Sequence, residues 1–233
     1  MGRLGEPATL IPILWQCDSA VAVDKPAGLS TTSPPGTESL ESRIREQLGR
    51  DGGFLSAVHR LDRDVSGVVL LALTKKSARL FSDQFALRKV HKKYHAWVQG
   101  RVHDASSNPM RWRDHVRKIP DVAKGEVCDA EAKGAKLAET DVRVLTYDEH
   151  ADSTLLELSP LTGRMHQLRL QTSTRGHAIL GDPVYGSSEF SPPNDDSWSF
   201  DTIALVAVKL QFHHPRTGVL TEVEIQRLGT GRD

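Results

Sequence analysis

The chain has 233 residues, 26% charged and 38% hydrophobic, a balance that belongs to globular proteins and excludes disordered, fibrous and disulfide-scaffold classes. Thirty Lys plus Arg stand against thirty Asp plus Glu, so no net field draws in nucleic acid or an anionic membrane, and any such partner must be met by a local patch. Charge-free runs such as Ser66 to Thr74 fall far short of the roughly 18 apolar residues a membrane span needs. Pro12 interrupts the apolar stretch from Leu10 to Trp15, so no secretory signal is read. Two cysteines, Cys17 and Cys128, make neither a disulfide framework nor a zinc site, and a reducing cytoplasm fits best.

Leu10 to Asp24 holds two short apolar runs around a Cys-Asp-Ser turn, stopped at Lys25-Pro26-Ala27-Gly28 because proline drives its predecessor out of the α region. A hairpin entering a loop is predicted. Ser30 to Gly36 reads as loop, and Leu40, Ile44 and Leu48 then recur every four residues as a short amphipathic helix ending at Gly49. Val68 to Leu73 suits a buried strand; Thr74 caps a following helix whose apolar face is Ala78, Phe81 and Phe85. From His91 to Gly100 the pattern alternates, with Tyr94, Ala96 and Val98 on one strand face and His91, Lys93, His95 and Trp97 on the other. Residues 101–138 lack clear periodicity and read as an irregular surface excursion.

Strand character returns at Thr140 to Thr146 and Thr154 to Leu158, stops at the Pro160 to Gly163 turn, and gives way to a helix-like segment ending near Gly176. Leu205 to Phe212 and Val219 to Ile225 flank His-Pro-Arg-Thr-Gly as a hairpin. Many strands, two or three helices and no regular βαβ alternation predict an α+β fold on a mixed sheet, in one domain over 1–233.

The densest polar cluster is His59-Arg60-Leu61-Asp62-Arg63-Asp64-Val65-Ser66-Gly67, just before the buried strand. An aspartate between arginines suits anionic or nucleophilic work and is a poor general acid. A second cluster, Gly163-Arg164-Met165-His166-Gln167-Leu168-Arg169, puts Arg164, Gln167 and His166 near a predicted helix start. Either alone is an ordinary charged loop. No Walker A or dinucleotide fingerprint and no metal-ligand set is found, so neither cofactor nor metal is expected.

Together these blocks resemble the RluA family of pseudouridine synthases. The resemblance runs through Asp24-Lys25-Pro26-Ala27-Gly28-Leu29, then His59 to Asp64 with Ser66-Gly67, then Lys92-Lys93-Tyr94-His95-Ala96. It continues through Gly163-Arg164, His166-Gln167-Leu168-Arg169, Gly176-His177 and Leu180-Gly181-Asp182-Pro183 with Tyr185-Gly186. It implies a mostly antiparallel mixed sheet with flanking helices and loops around a central cleft, and isomerisation of uridine to pseudouridine in structured RNA, a tRNA or rRNA stem-loop.

By that resemblance Asp62 matches the essential aspartate, which attacks either the ribose or the ring. Tyr94 matches the tyrosine that stacks on the target base, Arg169 the arginine paired with the aspartate, Leu168 the apolar neighbour beneath the nucleotide, and Arg60 an arginine that helps hold the extruded nucleotide. Arg164, His166, Gln167 and Lys92 are expected to contact RNA. Val65 and Met165 stand where the family usually has Thr, Gln171 where His is common, and Val206 where His is usual. About twenty residues precede the first matching block, so an N-terminal S4 domain is not expected; a monomer is expected.

Two other readings are carried forward. Asp62-Arg63-Asp64-Val65 fits the Asp-x-Asp pattern of Mg-dependent haloacid-dehalogenase phosphatases, although the apolar run follows the motif instead of preceding it. Lys75 to Lys118 carries twelve Lys plus Arg against three Asp plus Glu, which suits a non-catalytic RNA-binding or RNA-chaperone module as well as an enzyme. In that segment Arg88, Lys89, Lys92 and Lys93 are the candidate phosphate contacts, with Lys92 sharing the face of Tyr94.

Overall fold

The computed structural model describes residues 10–34, 36–50, 52–103, 109–186 and 203–225. The predicted first hairpin is β1 (Ile13–Cys17) and β2 (Ala20–Lys25). Strand β2 pairs antiparallel with β4 (Ser66–Ala72), in register from Ala20 with Ala72 to Lys25 with Gly67, and the short β3 (Ser56–Ala57) also pairs with β4. Helix α1 (Leu40–Gln47) opens on a capping box of Ser39 and Ser42, and α2 (Lys75–Ala86) on one of Thr74 and Ser77. Leu40 and Ile44 of α1 pack with Val69 and Leu71, whereas Phe81 of α2 packs with Val68, Leu70 and Ala72. Covered on both faces, β4 has no polar side to show, which is why it reads as an unbroken apolar run.

The rest of the sheet is β5 (His91–Gln99), β6 (Met110–Lys118), β7 (Gly125–Val127), β8 (Lys136–Asp148), β9 (Ser153–Pro160), β10 (Leu205–His213) and β11 (Leu220–Glu224), with α3 (Gln167–Ser173) after β9. Across the sheet the order is β1-β2-β4-β10-β5-β9-β8-β6-β7, and β11 also pairs with β10. All pairings are antiparallel except β4 with β10, which meet at Ser66 with Val206 and Gly67 with Ala207. The α+β, mostly antiparallel mixed sheet inferred from the sequence is thus what the chain forms.

That short parallel contact is the seam between two halves of the sheet. Gly67 has φ +118°, and a Cβ there would stand 2.3 Å from the Ala207 carbonyl oxygen, so only glycine lets β10 close on β4. Ala207 pairs in turn with Tyr94, and Tyr94 with Leu158. The loop that leads into Gly67 is thereby delivered to the strand that carries Tyr94.

Residues 101–138 correct the sequence reading. Apart from 104–108, which lie outside the described residues, they contain β6, β7 and the first residues of β8, not an irregular excursion. Alternation is present: Trp112 and Val116 are buried, while Arg111 pairs with Asp141, Arg113 with Glu139 and Arg117 with Glu126 across the neighbouring strands. Asp114, on the Trp112 and Val116 parity, breaks the pattern because it serves Gln171 (2.7 Å) and Arg175 (3.0 Å) of the α3 region.

Candidate active site

The loop between β3 and β4 carries Asp62, and its backbone is fastened on both sides of that residue. Thr31 Oγ1 donates to the Leu61 carbonyl (3.0 Å) and accepts from the Leu61 amide (3.2 Å). Lys25, fully buried at the end of β2, donates to the carbonyls of Arg63 (3.0 Å), Pro26 (2.9 Å) and Leu29 (2.6 Å). Burial pulls the Lys25 pKa down to about 8 against the opposing pull of Asp64 and Asp62. At the loop's start His59 accepts the Leu70 amide at Nε2 (3.0 Å), and burial, helped by the Lys92 charge, holds its pKa down to about 3. The Lys-Pro-Ala-Gly segment, by composition an ordinary turn, is one half of this lock.

On the opposite bank the buried Arg169 donates to Asp182 through Nε (2.8 Å) and Nη2 (2.7 Å), a two-bond fork that fixes the guanidinium plane. The remaining Nη1 reaches Asp62 Oδ2 at 3.5 Å. Burial works against the Arg169 cation, but the hydrogen bonds and charge of Asp182, with Asp62, outweigh it and hold its pKa above the usual arginine value. Asp182 also accepts the amides of Val184 and Tyr185; burial alone would raise its pKa, and these bonds with the Arg169 fork hold it low instead. The Tyr185 ring lies under the Arg169 guanidinium at 5.3 Å, and its hydroxyl accepts the Gly125 amide of β7 (2.7 Å).

His166 does not cap α3 with its side chain: it sits at the helix start in the left-handed region (φ 51°), its Nδ1 3.1 Å from the Tyr185 hydroxyl and its Nε2 3.8 Å from Asp62 Oδ2. Burial lowers its pKa, with Asp62 pulling the other way. Tyr94, 8% exposed, has its hydroxyl pKa pushed far up by burial and by the Asp62 charge, so it enters chemistry as a neutral ring.

These groups surround a cavity of about 460 Å³, within the range of small-ligand pockets. Arg60, Asp62, Lys92 and Tyr94 line it from one side, and Arg164, His166, Gln167, Leu168 and Arg169 from the other, so these nine expected site residues are brought there, whereas Arg88, Lys89 and Lys93 of the basic segment are not among its lining. Their uses differ. Gln167 is spent inside the protein: it donates to the Glu139 carbonyl (3.0 Å) and Thr140 Oγ1 (2.9 Å) and accepts from Thr162 Oγ1 (2.7 Å) and the Arg164 amide (3.1 Å). It shapes the loop from Pro160 to His166 instead of offering its amide to a ligand. Arg164 gives its Nε to the Leu137 carbonyl (2.9 Å). Lys93 leaves the cleft for Glu157 (2.9 Å), as the strand parity requires.

Asp182, Tyr185 and Lys25 were visible as motif letters without a role. Asp182 is 13 residues from Arg169 and Lys25 is 38 from Arg63, separations at which sequence spacing carries no contact information. Gln171, where the family commonly has His, is fully buried, accepting from Thr140 (2.6 Å) and donating to Asp114 (2.7 Å). Val65 and Val206 are buried apolar residues, and Met165 is exposed at the cavity rim.

A model of the family described as RNA pseudouridylate synthase matches residues 19–174, a span that includes Asp62, Tyr94 and Arg169. The chain belongs to this family. Its RluA-type character agrees with curated relatives among the ribosomal and transfer RNA pseudouridine synthases. Ribosomal large subunit pseudouridine synthase C of Haemophilus influenzae is 29% identical over 88% of this chain and 62% of its own length. The tRNA pseudouridine synthase C of Pectobacterium carotovorum is 34% identical over 90% of this chain and 57% of its own. The chain therefore spans less than two thirds of either relative. The solved structure of human RNA Pseudouridylate Synthase Domain Containing 1 superposes with a TM-score of 0.77 over 96% of this chain and 86% of that one, at 22% identity, and so shares the fold. The phosphatase reading is overturned: Asp62-Arg63-Asp64 precedes β4 in a pseudouridylate synthase sheet instead of ending an apolar strand.

Proposed function

We propose that the protein is an RNA pseudouridine synthase that isomerises a uridine in a structured RNA, with Asp62 as the nucleophile and no cofactor. The observation that carries this reading is the meeting of Asp62 with the fork-held Arg169 at one cavity, opposite the buried ring of Tyr94. A target uridine must leave the stack before its glycosidic bond is reachable. Arg60, exposed at the cavity mouth, fills the vacated place; Leu168 and Tyr94 flank the base, Tyr94 as a stacking platform.

Asp62 supplies the anionic oxygen that bonds carbon during detachment of uracil. Arg169, neutralised mainly by Asp182, orients that carboxylate without consuming its charge. The same assembly favours an enzyme over a silent RNA-binding module, because a module has no use for a carboxylate aimed into a base-sized cavity. The relatives' names cover both ribosomal and transfer RNA, and a short stem-loop suits this base-sized cavity best.

Asp62→Asn preserves shape and removes the nucleophilic charge. The purified variant is expected to bind a substrate stem-loop normally and to form pseudouridine at least about a thousandfold more slowly. Turnover above that level removes Asp62 from the chemistry.

A further inference from the structure

Lys92 stands on β5 two residues before Tyr94, on the same strand face, and lines the same cavity. Its ammonium lies across from the β9–α3 loop, 3.9 Å from where a Cβ on Gly163 would be. Among the described residues it makes no ion pair and no hydrogen bond, whereas Arg169 is spent on Asp182 and Arg164 gives a bond to Leu137. Burial keeps its pKa below the usual lysine value. A half-buried cation without an anion costs stability, and such a charge is retained where a ligand brings the missing negative partner.

The reaction proposed above creates that partner. When the C1′–N1 bond breaks, its electron pair stays with the ring, and the charge spreads over N1 and the carbonyl oxygens O2 and O4. Asp62, then bonded to carbon, no longer holds a charge of its own. The ring turns, C5 bonds to C1′ with return of that pair, the carboxylate is released, C5 loses its proton to water and N1 takes one from water. We propose that Lys92 is a catalytic residue that holds the detached uracil anion, donating from Nζ to a ring carbonyl while the base turns against Tyr94, and is not a phosphate contact. The assignment rests on the pseudouridine synthase reading.

The test uses the full chain, Lys92→Met and Lys92→Arg, with two stem-loops bearing uridine or 5-fluorouridine at the target. Fluorine withdraws charge, so the fluorinated base departs more readily as an anion. With saturating enzyme and single turnover, Lys92→Met is expected to slow loss of target uridine about a hundredfold, with little change in Kd. Loss of 5-fluorouridine should slow by about tenfold or less, and Lys92→Arg should recover most of the rate. Equal slowing of both substrates overturns the proposal, as does a defect confined to Kd with a shallower salt dependence, which marks a phosphate contact. Melting temperature gives an independent arm. Removing an unpartnered buried charge should leave it unchanged or raise it, and a marked fall makes Lys92 a structural cation and also overturns the proposal. If the wild-type chain converts neither substrate, the pseudouridine synthase reading itself fails and takes this assignment with it.

Discussion

At the scale of single residues, Asp62 is placed by its neighbours' backbones. Leu61 is held by Thr31 and Arg63 by Lys25, so the carboxylate has little freedom before any substrate arrives. His59 fixes the start of the same loop and must be neutral at Nε2 to accept the Leu70 amide. Its pKa, held near 3 in the fold against an ordinary value of 6.5, sets the sign of a pH effect. The unfolded chain binds a proton that the fold refuses, so stability is complete above pH 6.5 and is lost as pH falls towards 3, by on the order of a few kcal/mol. His59→Gln keeps an acceptor and does not titrate. Thermal melting of both forms from pH 7 to pH 4 should show the wild type losing more stability than the variant; parallel curves would mean that His59 is not the group responsible. The chemical roles of Asp62, Tyr94 and Arg169 could be proposed from motif letters alone. The pinning roles of Thr31, Lys25 and Asp182 could not, because each depends on a partner brought close only by the folded sheet.

At the scale of elements, local pattern was informative wherever one face of an element met the core. Strand β5 alternates, α1 repeats its apolar residues every four positions and α2 carries its Thr74 cap in the sequence, so all three are legible there. Strand β6 was missed because Asp114 stands on its inward parity, a position explained only by Gln171 and Arg175 of the α3 region. The seam was equally invisible, since a parallel contact between residues 66–67 and 206–207 leaves no local trace. It makes a sharp prediction. Gly67→Ala combines a disfavoured φ with a Cβ 2.3 Å from the Ala207 oxygen, and should cost about 3 kcal/mol or more. For a chain of this size that is a fall of roughly 6–12 °C in melting temperature, measurable by calorimetry or circular dichroism. A variant that melts within a degree of the wild type would show that the two halves do not need this contact.

At the scale of the whole molecule, neutrality conceals an uneven distribution of charge, and much of the basic segment from Lys75 to Lys118 is engaged within the protein or lies on the far side of the sheet. Arg111, Arg113, Arg117 and Lys93 are paired with carboxylates, and α2, with Lys75, Lys76 and Arg79, packs on the other side of β4 from the core that contains Tyr94. On the function proposed above, we expect phosphate contacts from cations nearer the cavity mouth, with Arg60, whose guanidinium takes the vacated place, adding one cationic charge beside the RNA backbone. Arg60→Ala should reduce the slope of log affinity against log salt by about 1 for any RNA sequence, and Lys93→Ala should leave it unchanged. The reverse result would put the RNA on the opposite face of the sheet.

The central claim, that Asp62 converts uridine to pseudouridine at this cavity, is tested most directly by adding the purified chain and Asp62→Asn, each without cofactor, to RNA from cells that lack the gene, and mapping pseudouridine base by base. The wild-type chain should create pseudouridine at discrete positions that Asp62→Asn leaves as uridine. Identical new sites from both proteins, or none from the wild type, would contradict it.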